Sequence, residues 1–233
     1  MVWGTSRSTA GLLILLMWLL FCSVSRTAVG QTAILESPAA VTPTQPKLAA
    51  ELLQRMDEDQ AARRLFTDLL RQGQGKTPEE IARQQAAISE KVGAIDRRNQ
   101  CWLEEVIRQV GWPGKSLVGE RAAHAAWLLV QHADADPVFQ ERCLDLMKAA
   151  APGEVALIDV AYLTDRVLVA RGRPQVYGTQ CEEVEGRFQP RACLDPETLD
   201  QRRKEVGLQP IKEYLQLMED VYHTGGAESK SDK

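Results

Sequence analysis

Apolar residues recur at helical spacing through most of the chain. Between Lys47 and Arg71, the residues Leu48, Leu52, Met56, Leu65 and Leu69–Leu70 fall on one side, which predicts an amphipathic helix. Gln72-Gly73-Gln74-Gly75 breaks it. Thr77-Pro78-Glu79-Glu80 reads as the next start: the hydroxyl caps a free N–H, proline suits the first turn, and Glu80 reaches back to the threonine N–H. That helix runs towards Val110, and Gly111-Trp112-Pro113-Gly114 reads as a turn. Ser116 to Ala133, carrying AAHAAWLLVQHA, predicts another helix. Asp136-Pro137 starts one that ends near Ala150. Glu154 to Ala170 is β-branched enough for a strand, but its length favours a helix. Residues 174–180 (PQVYGTQ) and 187–192 (RFQPRA) read as two short strands around an acidic turn, with Pro190 confining the second to an edge. Asp195-Pro196 and Pro210 begin the last helices. The prediction is a mainly α, single-domain helical bundle over 46–223, with about six to seven helices and one small β-hairpin near residues 174–192.

The ends read differently. Arg7, the apolar run Ala10–Phe21 and the small residues Ala28-Val29-Gly30 predict a signal peptide over 1–30, with Ser23-Val24-Ser25 as a second cleavage point. The apolar run is about a dozen residues, short of the roughly 20 that span a bilayer. Phe21 is too large for the position before a lipidated Cys22. The expected protein is exported, periplasmic or extracellular, without stable membrane association once the signal is cleaved. Residues 31–45 read as a flexible leader and 224–233 as a disordered tail.

Charge narrows the partners. The net charge of −4 becomes −6 once residues 1–30 leave, because they hold Arg7, Arg26 and no acid. A mildly acidic chain argues against nucleic acid as a partner. Four cysteines remain, and an even number in an exported chain favours disulfides; Cys181–Cys193 and Cys101–Cys143 are the preferred pairings of the three possible.

Candidate chemistry rests on polar residues inside apolar segments. His124 and His132 are eight residues apart on one predicted helix, about 12 Å along its axis, so they cannot share one metal ion. No His-Glu-x-x-His motif, P-loop or Gly-x-Ser-x-Gly elbow is present, and neither a metal nor a cofactor is expected. Glu120, His124 and Gln131 form a thin polar stripe on an apolar cylinder, open to three readings: solvated face, internal hydrogen bonds or pocket lining. His132 sits at the helix end, where Asp134 or Asp136 pairs with it or caps the next helix. Asp165 and Arg166 interrupt a near-continuous apolar helix. They form either a structural ion pair or a site in which Arg166 holds an anion and Asp165 orients a histidine. Tyr177 and Gln180 are further candidate ligand contacts.

The order Gly111-Trp112-Pro113, Gln131-His132-Ala133-Asp134, LTDRVLV (163–169), YGTQ (177–180) and Asp195-Pro196-Glu197 resembles a bacterial family of unknown function. Asp59-Gln60 and Asp96–Asn99 look like its opening, RRKEVGLQP (202–210) and EYLQLM (213–218) like its ending. The segment carrying Cys181 and Cys193 departs from that pattern. The resemblance implies a single domain and points to His124, Gln131, His132, Asp165, Arg166, Tyr177 and Gln180, but supplies no reaction, cofactor or partner. The expectation is a pocket for a small or polymeric polar or anionic ligand, with His124, His132 and Asp165 as catalytic candidates and Gln131, Arg166, Tyr177 and Gln180 as ligand contacts. The alternative is a non-catalytic interaction module in which the same residues form a structural network.

Overall fold

The structure, a computed structural model, describes residues 42–72 and 75–227. Two long helices, α1 (Pro46–Gln72) and α2 (Pro78–Val110), form an antiparallel hairpin. The turn between them ends in the predicted capping box: Thr77 Oγ1 accepts from Glu80 N–H and Glu80 accepts from Thr77 N–H. After Gly111–Gly114 come the short α3 (Lys115–Val118) and then α4 (Glu120–Gln131), α5 (Pro137–Ala149) and α6 (Leu157–Ala170). A two-stranded antiparallel hairpin follows, β1 (Cys181–Val184) and β2 (Arg187–Pro190), then a 3-10 turn (Pro196–Thr198), α7 (Leu199–Glu205) and α8 (Ile211–Ala227). The protein is mainly helical with one small hairpin, as the pattern predicts.

The central helix is α4. Nine of its twelve residues are buried, because it packs against α1, α2, α5 and α6 at once. Trp127, wholly inside, meets Tyr162 of α6 edge to face at 6.1 Å. An aromatic pair of this kind adds about 0.5–1.5 kcal/mol beyond its buried area.

Two elements differ from the prediction. Ser116–Ala133 is not one helix: Gly119, with φ 81°, ends α3 and redirects the chain into α4. The segment 174–180 is not a strand. It is a loop wrapped on Asp165, and the hairpin lies later, with Cys181 opposite Pro190 and Val184 opposite Arg187. Pro190 is tolerated because a two-stranded sheet has only edges.

The expected signal peptide, Cys22, most of the leader and residues 228–233 lie outside the described residues. The leader's end does have a place: Thr44 and Gln45 N–H groups donate to Ser116 and Leu117 carbonyls. Among the described residues, no helix is long and apolar enough to cross a membrane.

Candidate functional site

A polar layer interrupts the core where α1, α2 and α4 meet. On α1, Leu52, Asp59 and Phe66 recur every seven residues and are each almost fully buried. On α2, Val92, Asn99, Leu103 and Val106 are buried on one face, with Asp96 partly buried on the same face. Asp59, Asp96 and Asn99 therefore occupy positions that the helical period assigns to apolar side chains. The apolar core divides accordingly. The main cluster contains Leu52, Leu103, Val106 and most of α4, while a second cluster contains Ala62, Phe66 and Val92.

The layer is built around Asp59. Its Oδ2 lies 2.8 Å from His132 Nδ1 at the end of α4. Arg63, one turn along α1, donates to Asp59 Oδ1 through Nε at 3.2 Å and reaches across to Asp96 through a terminal nitrogen. Gln60 donates to Asp59 Oδ2 at 2.9 Å. An oxygen of Asp59, an oxygen of Asp96 and a ring nitrogen of His132 all lie within 4.8 Å of one another. His132 is 4% exposed, whereas the Asp96 side chain keeps 20% of its surface and is the solvent edge of the group.

Proximity drives the two carboxylates apart in acidity. Burial alone would raise Asp59, but the Arg63 charge and the hydrogen bonds from His132 and Arg63 outweigh it and hold its carboxyl far below the usual range. Burial raises Asp96, the neighbouring Asp59 raises it further, and Arg63 only partly opposes them, so its pKa reaches about 7. Burial lowers His132, keeping the imidazole neutral despite Asp59. Pairs of groups whose surroundings separate their acidities are the usual raw material of acid–base catalysis.

A second polar group adjoins the first through the Gln131–Asp134 turn. Arg166 of α6 pairs with Asp134, whose side chain is 59% exposed. Gln140 of α5, wholly buried, donates to the Val130 and Gln131 carbonyls and to Asp134 Oδ1, so it fixes the turn that presents His132. Asp136 caps α5, accepting from Phe139 N–H at 2.9 Å. Gln131 is fully buried and neither atom of its amide has a hydrogen-bond partner.

The remaining candidates lie elsewhere. His124 Nδ1 is 3.1 Å from Asp159 Oδ1 and its ring stacks on Trp127 at 4.7 Å, making a separate, more exposed pair near the start of α4. Asp165 holds a loop. Its carboxylate accepts from the N–H groups of Val176, Tyr177 and Thr179 and from Thr179 Oγ1, and so anchors the loop. Arg202 and Arg203 of α7 hold the Val176 and Tyr177 carbonyls from the other side, and Tyr214 donates to the Thr179 carbonyl. Gln180 donates to Thr179 Oγ1. The orientation of histidines thus falls to Asp59 and Asp159. All four described cysteines are thiols here: Cys101 exposed, Cys143 and Cys181 buried, Cys193 between. Burial pushes the Cys143 and Cys181 thiols up to about 12, so neither is a nucleophile at neutral pH.

An open cleft of about 540 Å³ lies beside the layer, lined by Lys47, Glu51, Arg55, Glu58 and Arg98 among others. Arg55 joins the two, donating to Asn99 Oδ1 at 3.2 Å.

Residues 46–226 match a family of unknown function, DUF6624, and the chain belongs to that family. No curated protein and no solved structure matches it.

Proposed function

We propose that this is an exported protein that binds a polar, anionic ligand at the Asp59–Arg63–Asp96–His132 group and hydrolyses it by general acid–base chemistry. The observation that carries the reading is the junction at Asp59. One carboxylate orients the His132 imidazole at 2.8 Å, while the same Arg63 links it to Asp96, which still holds a proton near neutral pH. In this reading His132 takes the proton of an attacking water and Asp96 protonates the leaving group. Arg63 and Arg166 attract the anionic substituent, and the ligand enters over Asp96. Export is supported by the apolar run Ala10–Phe21 followed by Ala28-Val29-Gly30. A Cys181–Cys193 disulfide in the exported protein is supported by a shared neighbour: Cys181 Sγ is 4.0 Å from the Gly178 carbonyl, and a Cβ at Gly178 would meet Cys193 Sγ at 3.4 Å.

The test is turnover of p-nitrophenyl phosphate, its phosphodiester and its sulfate by the purified chain and by His132→Asn. The expected result is hydrolysis that falls at least about 100-fold in the variant, as loss of a positioned acid or base does. Absence of turnover on every anionic ester would sink the hydrolase reading. A second reading, a non-catalytic module with a structural polar network, is favoured by one observation: His132 is almost sealed from solvent.

A further inference from the structure

We infer that Asp59, Asp96 and His132 are the ligand set of a divalent transition-metal ion, of the Mn²⁺ or Zn²⁺ class, at the seam of α1, α2 and α4. The inference rests on the reading of this group as the working site; it adds a cofactor where the sequence led us to expect none, and with the ion in place Asp96 and His132 serve as its ligands instead of the acid and base named above.

Three observations carry it. The first is convergence: three side chains from three helices bring one oxygen, one oxygen and one ring nitrogen within 4.8 Å of one another. Two carboxylates and an imidazole suit ions of intermediate softness. The second is charge: two carboxylates face the single guanidinium of Arg63. One positive charge does not neutralise both. A dication supplies what is missing.

The third observation is independent of the acids. Asn99 is 1% exposed and lies one turn beyond Asp96 on the same face of α2. Its Oδ1 accepts from Arg55, one turn before Asp59 on α1. Its Nδ2 is buried with no hydrogen-bond partner. A buried donor without an acceptor is rare and asks for an oxygen. A water or an anionic group carried by the ion provides one.

Metal–ligand bonds are about 2.0–2.3 Å, so the three ligand atoms must draw together and the Arg63 guanidinium must give way. Arg63 is then the ion's competitor for both carboxylates. That makes a prediction with a sign: weakening the competitor strengthens the metal, whereas in a purely structural network the same change strengthens nothing.

The experiment is calorimetric titration of the EDTA-treated, dialysed chain with MnCl₂ at pH 7.5. Electron spin-echo spectra of the bound Mn²⁺ accompany it, and Asp96→Asn and Arg63→Gln are measured in parallel. The expected result is one site. It also shows nitrogen modulation from one imidazole, at least tenfold loss in Asp96→Asn and a gain in Arg63→Gln. No binding, no nitrogen modulation, or equal binding in wild type and Asp96→Asn would overturn the inference, and the first two need no variant to fold. The parent reading fails separately. Ester turnover that survives EDTA keeps the hydrolase and removes the metal; Mn²⁺ held by these ligands with no turnover on any ester keeps the metal and removes the hydrolase.

Discussion

Asp59 and Asp96 carry opposite consequences for stability, because the fold moves their acidities in opposite directions. Asp59 is held below its unfolded value, so its contribution is present above about pH 4 and is lost as pH falls. Asp96 is held above its unfolded value of 3.8, at about 7. The folded state therefore binds the extra proton, and the Asp96 contribution is present below about pH 4 and is lost as pH rises through 7. The expected outcome is a decline in stability between pH 4.5 and 7.5 that Asp96→Asn flattens. Its size is on the order of 1–2 kcal/mol, discounted from the full shift because the carboxylate keeps solvent contact. Urea unfolding at a series of pH values measures it. Asp165 gives a second residue-level prediction. Asp165→Asn removes the charge that accepts from three backbone N–H groups and Thr179 Oγ1, and places an NH₂ among donors. It should cost about 2–4 kcal/mol, read by the same unfolding curves, with the loop 175–180 losing amide protection in hydrogen exchange.

At the scale of elements, caps and breaks are legible in the sequence because they are local. Thr77 to Glu80 and Asp136-Pro137 form the caps their residue types imply. Thr77→Ala should cost about 1 kcal/mol, measured as a fall in the unfolding midpoint. The loop 174–180 reads as a strand because Val176, Tyr177 and Thr179 are strand-favouring residues. What overrides them is a distant carboxylate, Asp165, which collects their N–H groups before a partner strand can. Gly178, at φ 67°, permits that turn and sits against Cys193, Leu199 and Ile211. Gly178→Ala is expected to destabilise by at least about 1 kcal/mol, from backbone strain alone, and thermal unfolding will show it. The site has a matching lesson. His132, Arg166 and Asp134 stand out in sequence because their neighbours are apolar, yet their partners are set by packing. Arg166 finds Asp134, and His132 finds Asp59, which is 73 positions away. Asp59, Asp96 and Asn99 also carry a local signal, a polar residue in the apolar register of α1 or α2.

Across the whole molecule, the bundle pays for a polar layer in the middle of its longest hairpin, separating Ala62, Phe66 and Val92 from the main core. Apolar side chains at those positions would join the two clusters. Buried charge networks are costly relative to such packing, and residues that serve a site are often held against stability. On the proposed function, this layer exists for its chemistry. Asp96→Asn read twice decides between chemistry and structure: unfolding stability at pH 7.5 in EDTA, and turnover of p-nitrophenyl phosphodiester with Mn²⁺ present. At that pH wild-type Asp96 is ionised against the preference of its site, so the neutral, equally shaped asparagine should leave the fold at least as stable. Turnover should fall by at least about 100-fold. A loss of several kcal/mol of stability, with no turnover in the wild type to lose, would contradict the claim and identify the layer as a structural network.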